Sequence, residues 1–180
     1  IFKIEDIEAA SDIIIWSVDN TPGAEPFKTT RPQDKTFIGN ILECMLAYAK
    51  GELGDTPISL SDVDHLIVIG SDRMMAAVKD ARYDVLKPYL GKVQHAVGSI
   101  NSPMQCMMKG ICAQCLCKHV DAESGKEYFV YSCYNQDQDL DKVDFPHLNA
   151  RLRQNTVQEK LSNLWLDYLL EKRKAAEGTD

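Results

Sequence analysis

The apolar positions of this chain change rhythm along its length. Residues 1–10, with Glu5, Asp6 and Glu8, read as the end of a short helix. Asp12-Ile-Ile-Ile-Trp-Ser-Val18 is an unbroken, largely β-branched run, the pattern of a strand buried on both faces of a parallel sheet. Asp19-Asn20 ends it. Thr21 to Lys35 carries Pro22, Gly23, Pro26 and Pro32 and predicts a loop. From Thr36 to Lys50 the apolar residues Ile38, Ile41, Leu42, Met45 and Ala49 recur at helical spacing. Gly51 to Ser61 reads as a linker loop. Val63 to Ile69 predicts a second buried strand, cut off at Gly70. Asp72 to Leu90 predicts a helix with Met75, Val78, Val85, Leu86 and Tyr89 in one stripe, capped by Ser71 or Asp72. Strand, helix, strand, helix is half of a doubly wound α/β parallel sheet with right-handed crossovers.

After Gly91 the texture changes. Lys92 to Val97 predicts a strand and Ser99 to Gly110 a loop. Leu116 to Val120 and Glu127 to Ser132 alternate as a hairpin, with Ser124-Gly125 supplying its turn. Asp137 to Asp144, with four aspartates, reads as a solvated loop. Thr156-Val-Gln-Glu159 is a capping box. It opens a helix with Val157, Leu161, Leu164, Trp165, Tyr168 and Leu169 on one face, a core or partner-docking stripe, and Lys172, Arg173 and Lys174 at its negative end. Three segments follow from this reading. Residues 1–98 are expected to form half of such a sheet (the C-terminal half of a nucleotide-binding α/β domain by the resemblance drawn below), 99–135 a cysteine-rich module, and 136–180 an acidic loop with a C-terminal amphipathic helix.

Charge narrows the partners. The 180 residues carry a net charge of −7 with a pI of about 5.1, against nucleic acid as the main partner. No apolar run approaches the ~20 residues that span a bilayer, so no membrane role is expected and the default setting is the reducing cytoplasm. The chain begins at Ile1 rather than Met, and the expectation is an excised piece of a longer protein.

The densest chemistry lies between Cys106 and Cys133. Four of the six cysteines, Cys106, Cys112, Cys115 and Cys117, fall within twelve residues. Crowded thiolates repel one another and oxidise, so such clusters usually serve a metal or a redox reaction. The spacings are C-x5-C-x2-C, with seventeen residues between Cys115 and Cys133. Plant-type [2Fe–2S] sites follow C-x4-C-x2-C with a distant fourth cysteine, one residue off the first spacing here. Gly110 and the short side chains of Ala113 and Ser102 suit a loop whose amides face sulfur. Structural zinc is the alternative, and it commonly uses two C-x2-C knuckles where this chain has one. A disulfide knot is less fitting for a chain that is 44% hydrophobic. Cys117 is the surplus thiol, either a swapped ligand or a hairpin residue facing the core.

The expected sheet suggests a second site, since ligands of such sheets lie beyond the carboxyl ends of the strands. Asp19, Asn20, Gly70, Ser71, Asp72, Arg73 and Met74 occupy those ends. Gly70 permits close backbone approach and the following helix N-terminus favours phosphate, although Asp72 would repel one and such residues also serve simply to turn and cap. No Rossmann, P-loop or nucleophile-elbow motif is present. The four histidines show no i, i+4 metal pair; His119 is near the cysteines, with a hairpin surface position expected. Met74-Met75 and Met107-Met108 read as core filling.

At these residues a resemblance emerges. Asp64-His-Leu-Ile-Val-Ile-Gly-Ser-Asp-Arg-Met-Met75 resembles the last strand and loop of the nucleotide domain in the ferredoxin–NADP reductase superfamily. Ser102-Pro-Met-Gln-Cys-Met-Met-Lys-Gly-Ile-Cys-Ala-Gln-Cys115 looks like the cluster loop of the dihydroorotate dehydrogenase electron-transfer subunit. Asp19-Asn20 takes the position of that family's Asp-Asp-Gly turn, and Thr36-Phe-Ile-Gly-Asn40 that of its Gly-Phe-Val-Thr helix start. The likeness covers roughly residues 1–135. It implies a [2Fe–2S] cluster on Cys106, Cys112, Cys115 and Cys133, half of an NAD(P)H site, and FAD held by an upstream domain or subunit. The flavin-binding barrel with its Arg-x-Tyr-Ser motif and the first Gly-rich loop are absent from this sequence. The implied whole is a flavin- and iron–sulfur-dependent NAD(P)H oxidoreductase, possible settings including glutamate-synthase-like flavoproteins, with the fragment alone inactive and the last helix available to a redox partner. The competing reading is a zinc-stabilised interaction domain without catalytic activity.

Overall fold

A computed structural model describes residues 2–91, 95–100, 115–154 and 156–177. The chain is mixed α/β. In order its elements are α1 (Ile4–Ala9), β1 (Ile15–Val18), β2 (Lys35–Ile38), α2 (Ile41–Ala49), a 3-10 turn (Leu60–Asp62), β3 (His65–Ile69), α3 (Asp72–Tyr83), β4 (His95–Ser99), β5 (Leu116–Val120), β6 (Glu127–Tyr131), β7 (Asp137–Asp139), α4 (Phe145–Arg153) and α5 (Thr156–Glu177). They fall into two compact units: residues 1–100 with 137–141, and residues 101–136 with 142–180.

In the first unit β1 and β2 form a two-stranded parallel sheet, Ile15 opposite Lys35 through Val18 opposite Ile38. The proline-rich loop between them is held by one carboxylate. Asp34 accepts from Ile14 N at 2.9 Å and from Arg31 Nε and Nη2 at 2.9 and 2.7 Å, and Trp16 stacks on Phe27 at 4.4 Å. The helix expected from Thr36 starts five residues later. Lys35-Thr-Phe-Ile pairs as β2, and Asn40 then caps α2: its Oδ1 accepts from Leu42 N and Glu43 N at 3.0 Å, while Asn40 N donates to Glu43 Oε2 at 2.9 Å. Gly39 sits where a Cβ would lie 2.5 Å from Phe37 Cε1 and 2.7 Å from the same Glu43 carboxylate, so the turn requires a residue without one.

The other sheet of this unit has the order β3–β4–β7, with β3 and β4 parallel and β7 antiparallel to β4. Among the described residues β1 and β3 share no sheet, so the strands read as partners lie in two small sheets. Nor is β3 buried on both faces, because Ile67 and Ile69 are 60% and 64% exposed. His65, Ile67 and Ile69 alternate onto the uncovered face of the strand, and Leu66 and Val68 take the covered one. Helix α3 stops at Tyr83, not Leu90. Asp84 leaves helical geometry (φ −120°, ψ −102°), and Leu86 N turns back to Ala81 O at 2.8 Å, which drops Leu86 into full burial. Leu86 packs there with Leu60 and Ala81, against Leu42, Met45, Leu46, Tyr89 and Leu90.

The aspartate-rich stretch is a correction. Asp137–Asp139 is a strand, and Gln138 and Leu140 are buried at 3% and 0% exposure. Asp-Gln-Asp-Leu-Asp alternates with period two, so its charges share one face while Gln138 and Leu140 take the other.

The second unit holds the expected hairpin. β5 and β6 pair antiparallel, Leu116 opposite Tyr131 through Val120 opposite Glu127. Asp121 closes the turn, its Oδ1 accepting from Ser124 N and Oγ at 2.9 and 2.8 Å. Asp144 caps α4, a helix with no expected counterpart, by accepting from His147 N at 2.9 Å. Among the described residues of this unit, Cys115, Cys117, Val143, Phe145 and Leu148 are the buried apolar ones. The stripe of α5 is exposed throughout, from Val157 at 75% to Leu169 at 45%. Among the described residues no helix is long and apolar enough to cross a membrane.

Candidate functional site

The hairpin's open end brings two of the four expected ligands together. β5 begins one residue after Cys115, and β6 ends two residues before Cys133. Ser132 N donates to Cys115 O at 3.1 Å, extending the ladder by one rung, and Cys133 N donates to Cys115 Sγ at 3.4 Å. Neither thiol is in a disulfide. Burial pushes the Cys115 thiol up, but hydrogen bonds from the Cys133 backbone and side chain and from the Cys115 and Ser132 backbone outweigh it and hold the group below the ordinary thiol value. An N–H aimed at sulfur stabilises thiolate, the form that binds metal. Cys106 and Cys112 lie outside the described residues, as does all of 101–114. Among the described residues no group of three or more His, Cys, Asp or Glu converges to hold a metal.

Cys117 is differently placed. It is 1% exposed, inside the second unit. Burial pushes its thiol up to about 11, Asp144 adds to the rise and Arg151 opposes it. In this structure Cys117 is a neutral thiol packed among the buried residues of the unit. His119, expected at the hairpin surface, is 3% exposed and tilts against Tyr128 with ring centroids 5.3 Å apart. Its burial follows from the strand period, since Cys115, Cys117 and His119 alternate with exposed or half-buried neighbours on one face.

Asn20 lines an open hollow with Phe37, Ile38, Glu43 and Lys50, and none of Gly70 to Met74 lines it. Asp19 is exposed beside it in sequence. At β3's end, Ser71 is the cap: its Oγ accepts from Met74 N at 3.2 Å. Asp72 stands in the first turn and is followed by the exposed-to-intermediate pair Arg73 and Met74. A Cβ on Gly70 would collide with Met74 Cε and Sδ, so the methionine side chain lies over the glycine where a ligand's approach was expected. That side chain is flexible and can be displaced.

One pairing escaped the sequence. His65 and His95 are register partners on β3 and β4; their rings stack at 4.8 Å with the two Nδ1 atoms 3.0 Å apart. Thirty residues separate them in sequence, and only the parallel register joins them.

No family model matches the chain. A stretch of 104 residues is 36% identical to an uncharacterised protein of Rickettsia prowazekii (strain Madrid E), and it covers 58% of this chain but 13% of that relative. The chain therefore matches only a small part of the length of this curated relative.

Proposed function

We propose that this chain is the electron-transfer portion of a flavin- and iron–sulfur-dependent NAD(P)H oxidoreductase, with Cys106, Cys112, Cys115 and Cys133 as ligands of a [2Fe–2S] cluster. The observation that carries the reading is the Cys115–Cys133 pair. Two thiols with seventeen residues between them meet at one end of a hairpin, with an N–H directed at Cys115 Sγ at 3.4 Å and the Cys115 thiol held low. Such N–H···S bonds also tune cluster potentials. These two residues fit half of a four-thiolate set. A bound cluster would supply one-electron chemistry, and this chain's part is to hold and shield it.

The nucleotide portion of the proposal assigns residues 1–98 to half of a doubly wound parallel sheet. Asp19, Asn20 and Gly70 to Met74 would face an NAD(P)H whose remaining contacts, like those to FAD, come from an upstream domain. The parallel pairings of β1 with β2 and of β3 with β4 support it, as does the capped start of α3 just after Gly70.

The test is metal analysis with visible spectroscopy on anaerobically prepared protein. About two irons and two labile sulfides per chain, with a brown colour, are expected. Stoichiometric zinc with no iron uptake on reconstitution would sink the assignment in favour of a zinc-stabilised domain.

A further inference from the structure

The long helix α5 leaves an apolar seam uncovered. Val157, Leu161, Leu164 and Tyr168 follow one another at intervals of four, three and four residues, the a/d spacing of a coiled coil. All four are exposed. With Leu161 and Tyr168 at a, Val157 and Leu164 fall at d, Lys160 and Asp167 at g, and Gln158 and Trp165 at e. Glu171 occupies the next d position and ends the seam. Among the described residues no ion pair joins Lys160 or Asp167 to another side chain. Lys172, by contrast, already lies 5.0 Å from the ring of Tyr168 on its own helix.

We infer that α5 pairs antiparallel with α5 of a second copy of this chain. The pattern is self-complementary in that orientation. With Leu161 set opposite Leu164 of the second copy, Val157 meets Tyr168, a small side chain against a large one, and the symmetry repeats both layers. The same register sets Lys160 opposite Asp167 of the second copy, twice. Trp165 then covers Gln158 at the flank. A two-fold interface of this kind buries one patch on both partners and closes at two. The opposed helices also place each positive N-terminus beside a negative C-terminus. Leu166, Leu169 and Leu170 fall at f, b and c, away from the seam. This inference does not depend on the cluster or nucleotide assignment.

Sedimentation equilibrium on the full chain, with thiols kept reduced, tests it. A dimer dissociating in the micromolar range is expected, as suits a seam of four layers. Leu161→Ser/Leu164→Ser should give monomer, while Leu166→Ser, off the seam, should leave the dimer intact. Asp167→Lys should weaken it by roughly tenfold through two lysine–lysine contacts, and Lys160→Asp/Asp167→Lys should restore it. A chain monomeric at ~100 µM, whether or not it binds lipid vesicles or another protein, overturns the inference. So does an assembly larger than two. Rescue of Asp167→Lys by Lys172→Asp instead of Lys160→Asp overturns the antiparallel pairing, because parallel helices would set Asp167 against Lys172.

Discussion

Arg82 Nη1 donates to Asp141 Oδ1 at 2.9 Å, joining residues 59 apart in sequence. The Arg82 side chain is 3% exposed. Tyr83 Oη donates to the other oxygen of the same carboxylate at 2.7 Å, and Lys79 Nζ donates to the Asp141 backbone carbonyl at 2.9 Å. Three residues of α3 thus hold the chain just after β7, which keeps the returning strand against β4.

Asp141→Ala should therefore destabilise the first unit by about 1–3 kcal/mol, since a buried guanidinium loses a charged acceptor. Asp141→Asn, which keeps an acceptor, should cost less. Urea unfolding of both variants checks this. The hydrogen bond to Asp141 raises the Tyr83 phenol, with burial and the Asp141 charge adding to it. A raised phenol stabilises the fold below the unfolded value of ~10 and ceases to do so as pH rises through the folded one. Tyr83→Phe should lack that alkaline limb.

Leu140→Ala should cost about 2–5 kcal/mol, because the side chain is wholly buried and a Cβ on Gly98 of β4 would lie only 3.0 Å from its Cδ1. A change at the exposed Asp137, such as Asp137→Ser, should stay within about 0.5 kcal/mol. Equal effects at the two positions would return this stretch to the solvated loop its charges suggested.

The Asp34 carboxyl should give the fold an acid-sensitive limb. Its hydrogen bond with Arg31 lowers it first; burial opposes, and the Ile14 N–H and the Arg31 charge lower it further. A depressed carboxyl stabilises the native state above the unfolded value of ~3.9, and that contribution is lost as pH falls through the lower folded value. Urea midpoints between pH 2 and 5 should fall more steeply for the wild type than for Asp34→Asn. Parallel slopes would show that the Arg31–Asp34 clasp contributes nothing to the linkage.

The two thiols of the β5 face should separate chemically. At pH 8 iodoacetamide should modify Cys115 or Cys133 well before Cys117, whose thiol is buried and raised to about 11. Cys117→Ala should keep metal content near wild type and cost about 1–2 kcal/mol of packing. On the proposed ligand set, Cys115→Ala and Cys133→Ala should each lose the cluster. Loss of metal in Cys117→Ala with retention in Cys106→Ala would shift the ligand set to Cys112, Cys115, Cys117 and Cys133.

Local pattern by itself determined much of this protein. The hairpin 116–131, the strand ending at Ile69, the Ser71 cap and the helix from Thr156 are each written in neighbouring residues, through side-chain period and turn or cap chemistry. The cysteine spacing named Cys106, Cys112, Cys115 and Cys133 as candidate ligands, and of these the hairpin brings Cys115 and Cys133 into hydrogen-bond contact. Tertiary structure decided the rest. Thr36-Phe-Ile fits a helix stripe or a strand equally, and pairing with β1 selected the strand. Four aspartates look solvated until Leu140 finds a core and Arg82 finds Asp141. His65 meets His95 only because two strands align in parallel register. Burial and cross-strand register depend on residues distant in sequence, and local periodicity carries no information about which distant residues those are.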